Sequence, residues 1–285
     1  MKSKSFLYPL LAGVLLWAGC TKDFDEINTD PNNPAVVPSS SLMTNAQKSL
    51  MDDIRDEWFS GRQSYLYAQY FAQRTYTEED RYQLRQTTNN TYWILIYNDI
   101  KDLQEVIRLN TDPTTKVQMA AYGNNENQIA AARILKAWAF QILTDAYGDI
   151  PYTEALQGET ILTPKYTPQA EIYADLIKEL TEASNQINVN EPAFTQGDII
   201  YGGDAEKWKK FANSLKMRVA LRASNVPGWN YRQYIQEAVT AGVFESNDDN
   251  AVFQYIGRAP NNSPLYDAFY TSGRNDFTLS STFVN

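Results

Sequence analysis

The sequence predicts a mainly α-helical protein in which pairs of helices are joined by long irregular loops. In several segments, apolar residues recur every three or four positions, which is the spacing of a helix with one buried face. Asn, Asp or another capping residue stands at the start of most of these segments, and Gly or Pro follows their ends. No segment has an alternating apolar pattern of comparable quality, so strands are not expected to dominate the fold.

The first predicted helix extends from Ser41 to about Glu57. Four of its apolar residues lie four positions apart and therefore share one face: Leu42, Ala46, Leu50 and Ile54. The following residues, 58–76, are also predicted to be helical, although they are rich in aromatic rings. Residues 77–88 are polar and charged, and are predicted to form a loop.

A long helix is predicted next, with Asn89 or Asn90 as its N-cap and Leu109 near its end. Asp112-Pro113 follows, and the proline cannot continue a helix. The residues expected on the inner face are Trp93, Tyr97, Ile100, Leu103 and Ile107.

The most apolar predicted helix covers residues 127–147 and has only a narrow polar stripe, so other elements must cover most of its surface. Gly148 ends it, and Pro151 prevents its resumption. Thr167 is the expected cap of the next helix, with Pro168 in its first turn. That helix has an uninterrupted apolar stripe: Ile172, Tyr173, Leu176, Ile177, Leu180, Ala183 and Ile187.

Two more helices complete the pattern. Asp204, after Gly202-Gly203, caps a helix whose inner face is expected to hold Trp208, Phe211, Ala212, Leu215 and Val219. A shorter helix runs from about Tyr231 to Ala241, where Gly242 ends it. Consecutive amphipathic helices of this length indicate stacked antiparallel pairs, as in tetratricopeptide-like folds, although no strict repeat is visible.

The N-terminus has the layout of a secretory signal. Two lysines precede an apolar run over residues 6–18, and Ala18-Gly19-Cys20 follows. We expect residues 1–19 to be a signal peptide that is removed, and Cys20 to be lipidated, as in a bacterial lipobox. Residues 20–40, which are acidic and then rich in Asn and Pro, would form the tether. A soluble export signal with a chance cysteine is the alternative, and it is disfavoured because the only Cys of the chain falls here.

Composition excludes several classes of chemistry. The 285 residues include no His and one Cys, which excludes His-based catalysis, intramolecular disulfides, His metal ligands and cysteine clusters for zinc or iron–sulfur; neither a metal nor a cofactor is expected. The formal net charge of −9 disfavours nucleic acid as a partner, and it disfavours anionic ligands unless a local Arg cluster captures them. Nothing in the spacing points to an enzyme, but a hydrolase that uses an Asp/Glu pair remains open.

Polar residues near the predicted helix ends have mainly structural interpretations. The run from Tyr147 to Tyr152, Tyr-Gly-Asp-Ile-Pro-Tyr, has the composition of a helix stop. Asn213, Arg218 and Arg222 lie near one face of their helix, and Asp145 or Asp149 is the expected partner of a buried Arg.

Three segments resemble the SusD/RagB family of outer-membrane lipoproteins. One is the sequence Ala-Arg-Ile-Leu-Lys-Ala from Ala132, continuing to the Tyr147–Tyr152 motif. The second is Lys-Trp-Lys-Lys-Phe-Ala-Asn-Ser-Leu-Lys-Met-Arg from Lys207, followed by Ala220-Leu221-Arg222. The third runs from Cys20 to Asn32. The resemblance is closest to the SusD-like branch without an assigned sugar.

The resemblance implies a function as well as a fold. Residues 41–285 would form a SusD-like helical domain, and the lipoprotein would be anchored in the outer membrane by its acylated Cys20, facing the cell exterior. It would bind a glycan or other oligomeric nutrient, not act as an enzyme, and deliver its ligand to a SusC-type TonB-dependent barrel transporter. Family members usually continue well past this length, so a truncated C-terminus is expected. A purely structural surface protein is a further alternative.

The expected ligand surface lies between Tyr65 and Trp93, where aromatic rings alternate with Arg and Gln. Sugar rings stack on aromatic faces, and their hydroxyl groups bind Arg, Asn and Gln; peptides can use the same kind of surface. The candidate ligand-binding residues are Arg74, Tyr76, Arg81, Tyr82 and Trp93. The alternative is that these rings pack the N-terminal helices or contact the transporter.

Overall fold

The computed structural model describes residues 37–285. The expected signal peptide, the lipidated Cys20 and nearly all of the tether lie outside the described residues. Within the described part of the chain, no helix is both long enough and apolar enough to span a bilayer.

Six long helices form the main body of residues 38–285, as the predicted helical fold class requires. They are α1 (Ser39–Ile54), α2 (Gln86–Thr111), α3 (Asn125–Tyr147), α4 (Gln169–Gln186), α5 (Ala205–Arg222) and α6 (Tyr231–Ala241). Each helix packs against the next one along the chain, and α3 also contacts α5. This order of packing is that of stacked helical pairs, in which each element is stabilised by its neighbours in sequence.

Short elements occupy the connections. Residues 37–285 contain two antiparallel strand pairs, β1 (Phe71–Gln73) with β4 (Phe277–Leu279), and β2 (Ile150–Pro151) with β3 (Tyr166–Thr167). The π-helical segments are Glu57–Ser64 and Asp267–Thr271; the short α-helical turns are Tyr65–Tyr67, Lys116–Met119, Pro264–Tyr266 and Ser281–Val284; and the 3-10 turns are Glu79–Arg81, Ala120–Tyr122, Gly158–Thr160 and Asn247–Asp249.

The predicted stripes of α4 and α5 form the centre of the core. All seven residues predicted for α4 are buried. In α5, Trp208, Ala212, Leu215 and Val219 are buried and Phe211 is partly buried against them. The Asp204 side chain accepts a hydrogen bond from the Lys207 backbone N–H and caps α5 as predicted. Helix α6 has the predicted bounds.

The buried face of α2 is rotated by about one residue from the prediction. Tyr92, Ile96 and Val106 are buried, whereas the predicted Trp93, Tyr97 and Ile107 are only partly buried. Helix α2 packs against both α1 and α3, so its buried stripe is broader than one helix face. A predicted stripe centred on Trp93 therefore does not include the residues at the centre of the buried one. The helix also begins at Gln86, before the predicted caps, without a side-chain cap.

Helix α1 begins two residues before the predicted Ser41. Ser39 and Ser40 are buried, and the Ser39 Oγ donates a 2.5 Å hydrogen bond to the Gln128 Oε1 of α3. The predicted tether therefore ends before Ser39 and Ser40, because the Gln128 side chain of α3 holds the first turn of α1.

The predicted helix over residues 58–76 is wrong beyond Tyr67. The Asp56 carboxylate accepts hydrogen bonds from the Phe59 and Ser60 backbone N–H groups and begins a π-helix, and the chain then turns into β1. Strand β1 pairs with β4, which lies some two hundred residues later in the chain. Local periodicity contains no information on such a distant pairing, which explains the wrong prediction.

The Tyr147–Tyr152 motif ends α3 and also begins α4. Gly148 has a φ of 77°, which a residue with a Cβ rarely adopts, and the Thr144 Oγ1 donates to the Gly148 carbonyl. The Asp149 Oδ1 accepts a 2.9 Å hydrogen bond from the Gln169 backbone N–H. Asp149, and not the predicted Thr167, therefore supplies the side-chain oxygen at the start of α4. Thr167 is buried in β3, and its hydroxyl lies 3.1 Å from that of Thr153.

The polar residues of α5 are held as structural anchors. The Asn213 Nδ2 donates to the carbonyls of Ala241 and Gly242 at the end of α6, at 3.2 and 2.9 Å. The Arg222 Nε lies 2.9 Å from the Asp145 Oδ2, so Asp145 and not Asp149 is the partner of this arginine. The Arg218 Nη2 donates to the Gln141 Oε1 at 2.6 Å.

Candidate functional site

A surface that combines exposed rings with arginines is built where β1 meets β4. The Arg74 backbone N–H donates a 2.7 Å hydrogen bond to the Asp276 carbonyl, which continues the strand pairing and brings Tyr76 beside Arg274. The Arg274 guanidinium carbon lies 5.6 Å from the centroid of the Tyr76 ring. Tyr76 is 53% exposed.

Arg62, from the π-helix, lies at the centre of this surface. Its guanidinium carbon is 4.6 Å from the centroid of the Trp58 ring, 5.0 Å from that of Phe277 and 5.9 Å from that of Tyr76. Arg62 is 1% exposed, whereas Trp58 is 45% exposed. We refer to Trp58, Arg62, Tyr76, Arg274 and Asp276 as the aromatic platform. Its two exposed rings rest on a buried cation, an arrangement that cation–π attraction stabilises.

The two arginines of the aromatic platform are paired with two carboxylates, Asp276 of the platform and the adjoining Glu57. The Arg62 Nη2 donates to the Glu57 Oε1 at 2.9 Å and to the Asp276 Oδ2 at 2.7 Å, and the Arg274 Nε donates to the same Asp276 oxygen. Burial by itself would raise the pKa of Asp276, but hydrogen bonds from Arg274 and Arg62 lower it below the usual value of an Asp. Two guanidinium groups thus face two carboxylates, and the charges of these four groups cancel beside the exposed rings.

The other two candidates of the same segment lie on the loop after β1. The Arg81 Nε donates to the Thr77 carbonyl at 3.2 Å and so closes this loop on itself. The Tyr82 ring stacks on Tyr67 with 5.3 Å between centroids, and its hydroxyl accepts a hydrogen bond from the Gln69 Nε2. Tyr82 is 59% exposed, so one ring face is covered and the rest meets solvent.

The backbone of this segment is strained. Gln69, Tyr76 and Tyr82 have φ near +58°, and in the part of the chain that the structure describes only Leu156 joins them among non-glycine residues. A positive φ costs a non-glycine residue about 1–3 kcal/mol and persists only where the surrounding structure imposes it. Hydrogen bonds from Gln73 to Asp80 and Glu79 hold the loop against β1. Such strain accumulates at functional sites more often than elsewhere.

Trp93 lies in a separate groove of about 450 Å³ on α2. The groove is lined by Asn89, Asn90, Trp93, Ile94, Tyr147 and Tyr166. The Trp93 ring contacts Tyr147 edge to face at 5.0 Å and stacks with Tyr166 at 6.1 Å. The Gln63 Nε2 donates to the Asn89 Oδ1, which joins this groove to the helix that carries Arg62. The structure thus places Arg74, Tyr76, Arg81 and Tyr82 in one region, and Trp93 in a neighbouring one.

The sequence-based selection missed Trp58, Arg62, Arg274 and Asp276. Trp58 and Arg62 are four residues apart, so an i, i+4 aromatic–cation pair was a signal that could have been used. Arg274 and Asp276 carry no such signal, because only the distant strand pairing brings them to Tyr76.

A pair of carboxyl groups bears on the hydrolase alternative. Asp53 and Asp99 both line a cleft of about 500 Å³ between α1 and α2, and their carboxyl groups are close enough for each to shift the pKa of the other. Burial, together with the charge of Asp53, raises the pKa of Asp99 to about 8. Glycosidases keep their two carboxyls about 5–9.5 Å apart so that a sugar or water fits between them. Among the described residues, no group of three or more Asp, Glu, Cys or His side chains could hold a metal ion.

Comparisons with known proteins identify the family. The SusD-like family model, described as starch-binding associating with outer membrane, matches residues 31–285. No curated protein sequence matches the chain. Among solved structures, the chain is similar to a chitin-binding protein (29% identity, TM-score 0.71, covering 86% of this chain and 51% of that one). It is also similar to a SusD-like protein from Bacteroidetes (26% identity, TM-score 0.72, 87% and 48%).

A third similar structure is a SusD/RagB family protein from Bacteroides thetaiotaomicron, at 25% identity and a TM-score of 0.67, which covers 86% of this chain and 50% of that one. The chain therefore spans about half the length of the solved structures that it matches. Both the match over residues 31–285 and the stacked helices agree with the resemblance seen in the sequence motifs. The chain belongs to the SusD-like family.

Proposed function

We propose that this protein is a nutrient-binding lipoprotein of the outer membrane that captures an uncharged glycan on the aromatic platform. The observation that supports the ligand class is the pair of exposed rings, Trp58 and Tyr76, over a charge-balanced set of arginines and carboxylates. Sugars have apolar ring faces and neutral hydroxyl groups, so they match such a surface better than an anion does. Family membership and the similarity to a chitin-binding protein support the same class.

The proposal includes the anchor and the partner. Lipidated Cys20 would hold the protein at the outer membrane, facing the cell exterior, and residues 41–285 would form its SusD-like binding domain. The glycan would pass to a SusC-type TonB-dependent barrel transporter. Modest affinity suits such a role, because a ligand must dissociate to be handed on. A peptide ligand is the alternative occupant of the same rings.

Binding of defined oligosaccharides tests the ligand. Isothermal titration with maltoheptaose and chitohexaose should show binding of at least one of them, and Trp58→Ala or Tyr76→Ala should weaken it by about 1–3 kcal/mol. Tyr270→Ala is the matched control, because Tyr270 is an exposed tyrosine that stacks on Tyr266 and not on the platform. Binding that depends on Tyr270 as much as on Tyr76, or binding of a peptide panel alone, would contradict the proposal.

Fractionation tests the anchor and the partner. Cys20→Ala should move the protein out of the outer-membrane fraction, and mass spectrometry of the wild-type N-terminus should find an acylated Cys20. Affinity purification of the tagged protein should recover a β-barrel transporter identified by peptide sequencing. An unmodified Cys20 or an intact signal peptide would refute the anchor.

The hydrolase alternative rests on the Asp53–Asp99 pair and is tested separately. Incubation with the same oligosaccharides and with peptides should give no products. Robust hydrolysis that Asp53→Asn or Asp99→Asn abolishes, with no barrel recovered, would replace the binding function by a hydrolase.

A further inference from the structure

We infer that a pocket at the ends of α3, α4 and α5 is a second binding site, for a small carboxylate that carries an apolar group. The pocket has a volume of about 410 Å³ and is lined chiefly by Asp145, Ala170, Tyr173, Arg222, Val226 and Trp229. This volume lies within the range of about 300–1,000 Å³ found for small-molecule sites. The inference does not depend on the glycan function proposed for the aromatic platform.

The apolar part of the pocket is held in place. The Trp229 Nε1 donates a 2.9 Å hydrogen bond to the Ala220 carbonyl, which fixes the indole. The Tyr173 ring packs edge to face against it at 6.4 Å. Val226, Ala223 and Ala170 complete the apolar wall. A preformed apolar wall of this kind favours a flat or branched apolar group, because no side chain has to reorganise on binding.

The acidic group of the pocket is already saturated. The Asp145 Oδ1 accepts a short hydrogen bond from the Tyr173 hydroxyl, and its Oδ2 lies 2.9 Å from the Arg222 Nε and 3.2 Å from the Gln141 Nε2. The Gln169 amide is also engaged, because it donates to the Thr144 carbonyl. Asp145 therefore orients Arg222 and does not present a free carboxylate to a ligand.

The remaining polar group is the outer edge of Arg222. Its Nε is used by Asp145 and Tyr173, whereas its two Nη atoms make no hydrogen bond to any residue in the described range 37–285. The Arg222 side chain is half exposed. Two parallel N–H donors of one guanidinium match the two oxygens of a carboxylate. Because apolar side chains lie beside these two donors, the pocket favours a ligand in which a carboxylate is attached to an apolar group.

A second arginine adds positive charge beside the pocket, although it does not line it. Arg218 lies one turn before Arg222 and donates to the neutral Gln141 amide, and no residue in the described range 37–285 forms an ion pair with it. Arg218, Arg222 and Asp145 together carry one net positive charge, which suits a monoanion. The acidic chain as a whole repels anions, and this pair is the local Arg cluster that could overcome that repulsion.

Titration with 3-phenylpropionate tests the site on the purified protein. We expect binding, and we expect the uncharged 3-phenylpropanamide to bind at least about tenfold more weakly because it cannot form the charged pair. Arg222→Lys keeps the charge but removes the fork, and should weaken carboxylate binding by about tenfold. Phenyl phosphate serves as a further probe: tighter binding than the carboxylate would refute the monoanion assignment.

A second variant separates ligand contact from folding. Ala170 lies in the first turn of α4 and is exposed, so Ala170→Trp should fill the pocket without disturbing the Arg222–Asp145 pair. It should abolish binding and leave the melting temperature unchanged. Arg108→Lys, on the exposed surface of α2, is the control and should bind like wild type. Equal binding of amide and carboxylate, unchanged binding by Ala170→Trp, or no binding at millimolar probe would overturn the proposal.

Discussion

The stacked helices α4 and α5 and the segment over residues 57–85 differ in how they obtain their partners. Both helices bury the stripes that their sequences predict, and they pack mainly against helices adjacent in the chain. The 57–85 segment instead depends on distant residues: Arg62 pairs with Asp276, and β1 pairs with β4. Local periodicity is informative only where the buried face is determined by neighbours in sequence.

The two regions also differ in backbone strain. In the helical layer, α3 and α6 end at Gly148 and Gly242, whose positive φ involves no side-chain clash. The 57–85 region adopts positive φ at Gln69, Tyr76 and Tyr82. The helical layer therefore has the features of a rigid scaffold. In the 57–85 segment, the strained backbone lowers the stability of the folded state, and the same backbone holds rings and arginines at the surface. Four experiments, from the largest expected effect to the smallest, test this contrast.

Asp198→Ala should destabilise the helical layer most. The buried Asp198 accepts hydrogen bonds from the Trp208 Nε1, the Gly203 N–H and the Gln47 Nε2, all at 2.8 Å. Removing it leaves several buried donors unpaired, so we expect a loss of about 3–5 kcal/mol in the free energy of unfolding by urea denaturation. Asp204→Ala removes only a helix cap and should cost about 1 kcal/mol. An equal cost for the two variants would show that Asp198 is not the anchor.

Gly148→Val and Asn213→Leu should each cost about 1–3 kcal/mol of stability while leaving glycan binding intact. A Cβ at Gly148 meets no atom within 4 Å, so the stability lost in Gly148→Val arises from backbone strain and not from a steric clash. Gly61→Ala is the control, because a Cβ there makes only ordinary contacts at 3.6 Å and φ is not positive. A variant that keeps the wild-type melting temperature but loses binding would assign its residue to the ligand site.

Tyr76→Gly and Tyr76→Ala should weaken glycan binding equally, but they should differ in stability. Glycine adopts a φ of 58° without strain, so the Gly variant should be more stable than the Ala variant by about 1 kcal/mol. Thermal melting and titration of the same samples provide both quantities. If the two variants were equally stable, Tyr76 would not be strained and the contrast between the regions would lose its support.

Asp99→Asn should change how stability depends on pH. The folded-state pKa of Asp99 is raised by burial and by the charge of Asp53, so the folded protein retains a proton that the unfolded chain releases. This group therefore favours folding at low pH, and its contribution declines as pH rises from about 3.8, the ordinary pKa of an Asp, to about 8, the pKa in the folded protein.

The Asn variant lacks this decline, so its advantage over wild type should grow as pH rises across that window. Melting temperatures at several pH values measure the difference. Asp102→Asn, in the same cleft, is the matched control. A difference that shrinks as pH rises would show that Asp99 is ionised in the folded state.

The sequence alone determined the helical class, the bounds of α6, the stripe of α4 and the cap at Asp204. It also indicated the family, since motifs such as Tyr147–Tyr152 are contiguous. Each of these features arises from interactions within a few residues, or from a face whose partner is the next helix. For the same reason, Tyr76 and Tyr82 could be selected as exposed candidates from their local composition.

Tertiary structure decided which of those candidates lie together. In the structure, Trp93 lies in a groove apart from Tyr76, and the buried face of α2 differs from the predicted one. Arg274 and Asp276 lie in the aromatic platform together with Trp58. Tertiary structure also left the outer edge of Arg222 open by directing Asp145 to its Nε. These outcomes depend on contacts between residues far apart in sequence. Such contacts form only when the free energy gained from packing and pairing offsets the entropy lost in closing the loop between the residues. A local sequence pattern does not contain information on either quantity.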